Sequence, residues 1–518
     1  MNNTQKTIKN SAISVTAQIV TLLLQFINRR VFVVFLDIEF LGYQTVFSNV
    51  FSILSVAELG IGSIISFQLY KEVVNKNQIE IGKLMYLYKW LYRVVACLVT
   101  VAGLICYFFL PLFVKDAKAS WDYLHLIYFL QLAGVVCGYF LSYRRTILIA
   151  TQQEYKSIKI DLWTNIIIQT IQLISLALFR NYIVYLIIAL STGIISNIWI
   201  YLKTNAEFPY LKNKFKITKD DIKKRNIFSE MGNFLFHQIC YTVYGGTDNI
   251  VISAFCGIRN VALYGNYNVV KVGVMQVLFY RLLNPVQATI GNIVYSDRPK
   301  KELWKQFEML DVFSFFFATY IGLGFFLFYQ PFIQLWMGKE YLLDDAFVIL
   351  FSMSIYFGAV WEIVYKYRSV FGDYKQDRWF MFLSAVLNIG ISIPGAMIWG
   401  IPGVQLGTLI AFLSIAYGRI RFVVKNYFEQ SIGKYLLKHL MLFVVVGIEG
   451  VICYFLVYRL PVSFGGILLR GLAWLIIPGV INVALLWRNH SFKEMVSYLK
   501  RIVIIMLEKV KLKKSKNW

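Results

Sequence analysis

Residues 22–36 read LLLQFINRRVFVVFL, with two adjacent arginines, Arg29 and Arg30, in the middle of an otherwise apolar run. The run belongs to a longer apolar stretch, 10–36, which is long enough to cross a bilayer as a helix. A charge near the middle of such a helix is costly unless water or a partner reaches it. Either the segment lies in a soluble core or the arginines serve a purpose inside a membrane. Composition decides between these: of 518 residues, 58% are hydrophobic and only 15% charged, with a mean hydropathy of +0.60. A soluble domain cannot hide that much apolar side chain, so the sequence reads as an all-α integral membrane protein.

Apolar runs of about twenty residues or more predict about fourteen transmembrane helices. The first six fall at 10–36, 42–70, 84–114, 123–150, 160–179 and 182–202. Six more fall at 227–256, 262–291, 306–336, 345–371, 378–399 and 402–425, and a final pair at 437–458 and 464–487. The expected organisation is an N-lobe over 1–202, a basic cytoplasmic linker over 203–225 and a C-lobe over 226–426. Two further helices occupy 427–487 and an amphipathic basic tail 488–518. Helix 1 ends in NRRVFVVFLDIEFLGYQTVFSN and helix 7 in TDNIVISAFCGIRNVALYGNYN. Each is a polar cluster, an apolar run, a tight turn and a Gly–aromatic entry into the next helix. Six helices per half is an even number, so the two six-helix lobes are expected to form a parallel pseudo-twofold repeat.

The formal charge of +24 lies mostly in short connections and the tail, which suits anionic lipid surfaces and not nucleic acid. Lys71, Lys76 and Lys83 share one connection, Lys156 and Lys159 another, and Arg298, Lys300 and Lys301 a third. The intervening connections DIEF and GIPG have no basic residue, and GIRN has only Arg259. The positive-inside rule then places both termini in the cytoplasm. The start, MNNTQKTIKN, leads into an apolar run without a small-residue cleavage site and reads as a retained first helix. In the tail, Phe492, Val496, Leu499, Val503, Met506 and Val510 recur at helical spacing among lysines, as in a helix lying on a membrane surface.

At 1.5 Å per residue, Arg29 and Arg30 lie roughly 15 Å from the first turn, close to mid-bilayer. Asp248 and Lys271 flank the helix 7–8 turn at similar intervals, while Glu58, His237, Arg281, Asp311, Glu362 and Glu449 add further charge or polarity within apolar segments. Interhelical ion pairing, with Asp248–Lys271 as the obvious candidate, is one reading. Arg93, Arg144, Arg145 and Arg419 read as end-of-helix anchors. As a set, however, the cations near mid-depth outnumber the acid there, and a residual positive potential in a water-filled cleft fits an anionic head group. The six cysteines (Cys97, Cys106, Cys137, Cys240, Cys256 and Cys453) form no CxxC pair, and the four histidines are scattered. No metal site and no catalytic residue is expected. GxxxxGK[ST], HExxH and a nucleophile elbow are absent.

The stretches FLGYQTVFSNVFSILSVAELGIGSIISFQLYK (40–71), GTDNIVISAFCGIRNVALYGNYNVV (246–270) and QATIGNIVYSD (287–297) resemble the polysaccharide-transport proteins. These are the Wzx-type flippases of the multidrug/oligosaccharidyl-lipid/polysaccharide (MOP) exporter superfamily. The resemblance implies a non-enzymatic carrier in the bacterial cytoplasmic membrane. Its substrate would be undecaprenyl-pyrophosphate-linked oligosaccharide repeat units for capsule, O-antigen or exopolysaccharide. A polysaccharide polymerase and a chain-length regulator are the partners it suggests, beside membrane lipids. Related peptidoglycan-precursor flippases place arginines of helices 1, 2 and 8 in their cavity. Arg29 and Arg30 match the first, Lys271 or Arg281 the last, while Glu58 stands on helix 2 where a cation is expected. The family implies no cofactor but coupling to an H⁺ or Na⁺ gradient, for which Glu58, Asp248 and Glu362 are the candidates. A multidrug antiporter on the same fold, an integral-membrane glycosyltransferase or polymerase, and a non-transporting scaffold are the alternatives. The antiporter predicts an acid-dominated cavity, and the glycosyltransferase a larger soluble loop than this chain has.

Overall fold

The computed structural model describes residues 3–213, 215, 227–280, 298–371, 376–498 and 500, with isolated positions between 283 and 294. Every regular element among them is helical. Along the first part of the chain run α1 (Asn3–Phe35), α2 (Glu39–Leu54), α3 (Val56–Val74), α4 (Gln78–Tyr107), α5 (Trp121–Ser142), α6 (Glu154–Phe179) and α7 (Tyr182–Glu207). Then come α8 (Ile227–Val251), α9 (Ile258–Val274), α10 (Lys300–Trp336), α11 (Asp345–Val360) and α12 (Glu362–Phe371). The last four are α13 (Arg378–Trp399), α14 (Ile401–Ile420), α15 (Ile432–Val457) and α16 (Phe464–Leu486).

Short polar residues begin several of these helices by satisfying free amides. Asn77 accepts from Glu80 N, Asn181 from Ile183 N and Asp344 from Ala346 N. Ser431 and Ser463 do the same for α15 and α16. Apolar composition then carries each helix onward. Ten helices among the described residues are long and apolar enough to cross a membrane, and eleven if the bent pair α11–α12 is one span.

Several of the expected segments are broken or bent for local reasons. The segment 42–70 is divided at Ser55, whose hydroxyl donates back to Phe51 O at 2.7 Å, a contact that bends helices. The segment 345–371 bends by 47° between Val360 and Glu362. The segment 227–256 finishes in a π-turn, Ile252–Cys256, and a second π-turn, Met275–Phe279, follows α9. Beyond Tyr280 most of 281–297 lies outside the described residues, as do most of the linker 214–226 and the tail 501–518.

The chain divides into two compact units. The first comprises Met1–Val277 with Ala385–Gly407. In it α1 packs on α6, α6 on α7, α5 on α4 and α7, and α3 on α4 and α8, while α2 lies against both α8 and α9. Gly42 permits that last crossing: a Cβ there would stand 2.5 Å from the Ile258 carbonyl oxygen. The turn between α8 and α9 is tied to the connection after α4, with Ile258 N donating to Lys115 O at 3.2 Å. The α1–α2 turn is tied to the same connection, through Lys118 to Glu39 at 2.9 Å and to Asp37 at 3.3 Å. These two carboxylates raise the Lys118 ammonium above the ordinary lysine range, the hydrogen bond to Glu39 contributing most.

The second unit comprises Leu278–Ser384 with Thr408–Trp518. Its longest helix, α10, has 37 residues, about 55 Å at 1.5 Å per residue. It packs on α11, α15 and α16, and α15 and α16 pack on each other. Buried aromatic side chains fill these contacts, among them Phe315, Tyr329, Phe351 and Tyr356.

Candidate substrate cavity and buried charges

On α1, Gln18, Thr21, Gln25 and Asn28 are spaced by three or four residues, so they share one face of the helix. On α6, Asp161, Asn165, Gln169 and Gln172 do the same. Because α1 and α6 pack together, the two polar stripes meet inside the first unit and leave space between them. One cavity of about 510 Å³ is lined by Gln18, Thr21, Gln25, Asp161 and Asn165 among others. A second, of about 460 Å³, shares Gln25, Asn165 and Val269 with it and adds Arg29, Gln44, Asn49 and Gln169. A polar hollow among helices that are otherwise apolar is a place where water or a hydrophilic ligand is better solvated than lipid is.

Arg29 stands at the wall of the second cavity. Its Nε donates to Asn266 Oδ1 on α9, and its Nη2 donates to the Ala262 carbonyl at 3.0 Å. Both partners are neutral, and Tyr185, whose hydroxyl donates to Asn28 Oδ1 at 3.0 Å, is close enough to feel the charge. No carboxylate pairs with Arg29 among the described residues. Gly265 makes room for the guanidinium. Arg30 is exposed and is not among the residues lining this cavity.

Lys271 and Asp248 come together instead. They are near enough to interact electrostatically. Asp248 is buried, accepts from Asn388 Nδ2 at 3.3 Å and is bonded by the Tyr264 hydroxyl. Thr247 in turn donates to Asn388 Oδ1 at 2.7 Å. Glu362 opens α12 and faces Lys366, one turn on, at 3.2 Å. Arg281 and the side chain of Glu58 lie outside the described residues.

Of the four arginines expected as end-of-helix anchors, Arg93 is exposed, while the other three have interior partners. Arg145 makes a two-pronged contact with Asp161, at 2.6 and 2.8 Å, and reaches Asn197 and Ser196 at 2.9 Å. Arg144 is buried, donates to Leu211 O at 3.0 Å and lies over the Tyr201 ring. Arg419 lies 3.5 Å from Asp377, which also holds Arg368. Each of these three cations is therefore anchored by protein and not by snorkelling to the lipid surface. Asp161, the acid in the first cavity, is consequently already engaged.

The amide lining was missed in the sequence because neutral Asn and Gln do not register in a census of charge. Their helical spacing, i, i+4, i+7 in Asn165, Gln169 and Gln172, was the available signal.

No protein-family model and no curated protein matches the sequence. Solved structures do match in fold. One is "Lipid II flippase MurJ, inward closed conformation", with 16% identity over 92% of this chain and 100% of that one, at a TM-score of 0.68. An inward-facing multidrug resistance MATE family transporter of the MOP superfamily follows, with 14% identity over 79% and 98% and a TM-score of 0.56. A mutant of the Vibrio cholerae MATE transporter VcmN matches with 12% identity over 81% and 97% and a TM-score of 0.51. The fold is that of the MOP-superfamily transporters, and the chain is a multi-pass membrane protein.

Proposed function

We propose that this chain is a flippase that carries undecaprenyl-pyrophosphate-linked oligosaccharide repeat units across the bacterial cytoplasmic membrane by alternating access, with both termini cytoplasmic. The product would enter capsule, O-antigen or exopolysaccharide assembly. The observation that supports this reading best is the cavity itself: amide and hydroxyl side chains beside one guanidinium that has no carboxylate partner among the described residues. Amides and hydroxyls both donate and accept hydrogen bonds, as a glycan requires. A guanidinium presents a planar fork of donors that matches phosphate oxygens. The fold shared with a lipid II flippase supports a lipid-linked substrate.

In this proposal Arg29 is the principal phosphate contact, with Arg30, Lys271 and Arg281 assisting as the carrier changes state. Asp248 is the foremost ion-coupling group, because it is buried, accepts from Asn388 and Tyr264, and lies near the Lys271 ammonium, a charge that can compensate it. Glu58 and Glu362 stand behind it, Glu362 being matched by Lys366. Outward movement of a diphosphate gains roughly 2.3 kcal/mol per charge per 100 mV when the interior is negative, so coupling would act mainly on return of the empty carrier.

The test is complementation of a strain lacking its own repeat-unit flippase, combined with transfer of the lipid-linked oligosaccharide in vesicles. The wild type should restore surface polysaccharide, and Arg29→Ala should lower transfer by about tenfold or more. Full activity of Arg29→Ala, with the protein present in the membrane, would overturn the assignment. The antiporter reading needs an unengaged acid in the cavity, and Asp161 is held by Arg145. It predicts proton-driven extrusion of ethidium that is indifferent to Arg29→Ala.

A further inference from the structure

The second unit holds an acid that nothing above employs. Glu449 lies in the second half of α15, with no exposed surface and neither carboxyl oxygen hydrogen-bonded. Asn482 of α16 faces it, close enough to interact. Asn482 is also without exposed surface, and both polar atoms of its amide lack a hydrogen-bond partner. Both helices are long and apolar enough to span a membrane.

Among the described residues, the surroundings hold no cation for the acid. Tyr320 from α10, Tyr356 from α11 and Cys453 one turn further along α15 are the titratable groups that interact with it, and α16 brings only the neutral amide. Lys438 and His439 stand ten or more residues earlier on α15, about 15 Å along the axis, where they contact Asp311 instead. An ionised carboxylate so enclosed would lack both water and a counter-charge, which is very costly. A neutral acid facing a carboxamide is a different matter. Its hydroxyl can donate to the amide oxygen while its carbonyl accepts from the amide nitrogen.

The neighbouring backbone allows the two groups to part. Pro478 lies inside α16, one turn before Asn482. It removes one helical hydrogen bond and so creates a bend point. Just before the proline, α16 is fastened to α10 twice: Trp474 Nε1 donates to Tyr320 O at 2.7 Å, and the Tyr320 hydroxyl donates to Leu475 O at 3.1 Å. Asn482 lies beyond that fastening. Movement about Pro478 would therefore shift Asn482 relative to Glu449 while the first half of the helix stays in place.

We propose that Glu449 is a membrane-buried proton-exchange site, holding a proton against Asn482 when α15 and α16 are closed and releasing it to water when the segment beyond Pro478 swings away. The ligand is a proton delivered by water, and the residues that hold it are neither Asp248 nor any of those lining the cavity with Arg29. Nothing in this inference depends on which substrate the chain carries.

The experiment uses the full chain in lipid nanodiscs, with dicyclohexylcarbodiimide as the probe, since this reagent attacks protonated carboxyl groups in apolar surroundings. Peptide mass spectrometry should find Glu449 modified at about pH 6, and modification should fall about fivefold or more by about pH 9 as the group ionises. Infrared difference spectra between the same conditions should contain a protonated-carboxyl band that is missing in Glu449→Gln and shifted in Glu449→Asp. Equal modification at both pH values would mean a permanently neutral structural acid and would overturn the proposal. So would the absence of both modification and a titrating band in the wild type. Should Glu449→Gln fail to fold, the wild type and Glu449→Asp still decide the question.

Discussion

Arg29 and Gly265 occupy one space: a methyl group built on Gly265 would lie 2.8 Å from Nη2 of the arginine. The absence of a side chain on α9 is thus what lets the guanidinium of α1 reach Asn266 and the Ala262 carbonyl. Gly265→Ala should displace the guanidinium and weaken these contacts, each worth about 1.5–3 kcal/mol when the donor is charged. Under the proposed function, transfer of the lipid-linked oligosaccharide should fall in the same direction as in Arg29→Ala. A vesicle transfer assay, with the melting temperature in detergent as control, checks this.

The Arg145–Asp161 contact is two-pronged but about one-third exposed, so solvent screens part of its worth. Asp161→Asn should cost about 1–2 kcal/mol. The double replacement with Arg145→Gln should cost less than the sum of the single changes. Thermal unfolding of the four proteins, treated as a double-mutant cycle, measures the coupling; a coupling of zero would remove the pair from the account of stability.

Asp311 is buried in α10 and receives three groups from α15: Tyr435 at 2.7 Å, Lys438 at 2.8 Å and His439 at 3.2 Å. Removing its carboxylate leaves the Tyr435 hydroxyl without its acceptor and Lys438 and His439 without the charge they face, in a largely closed site. Asp311→Ala should destabilise by about 3 kcal/mol or more, with loss of the α10–α15 packing. Lys438→Gln, whose side chain is about one-third exposed, should cost much less. Melting temperatures of the two variants in the same detergent provide the comparison.

Lys118 joins Asp37 and Glu39 outside the spanning helices. Its ammonium is held above the ordinary lysine range, first by the hydrogen bond to Glu39. A raised folded-state value means that the contribution is complete below the unfolded value of about 10.4 and disappears as pH rises through the folded one. Wild type should therefore melt above Lys118→Met by a constant margin near neutrality, and the margin should close only at strongly alkaline pH. A margin that closed between about pH 6 and 9 would contradict this origin. High salt should also narrow it, because the group is exposed.

The membrane class and the all-helical fold were legible because apolar runs dominate the composition, and no local rule competes with that signal. Breaks within the runs were not legible. Ser55 is one serine among many, and its hydrogen bond to Phe51 becomes visible only in three dimensions. Arg29 was legible as a cavity residue from its depth in an apolar helix, whereas the neighbouring Arg30 faces elsewhere. The pairing of Glu362 with Lys366 follows from i, i+4 spacing, but that of Arg145 with Asp161 crosses a helix connection, and sequence distance gives no hint of it. The amide stripes of α1 and α6 were open to reading as helical periodicity, yet only their packing shows that they face each other.

The walls contributed by Gln25, Gln44, Asn49 and Gln169 consist of groups that neither gain nor lose protons across the range in which cells live. Such a lining offers an acidic exterior and a neutral interior the same pattern of donors and acceptors. The hydrogen bonds these four side chains offer a bound ligand are therefore the same at either pH, and any response to acidification must originate in other groups of the chain.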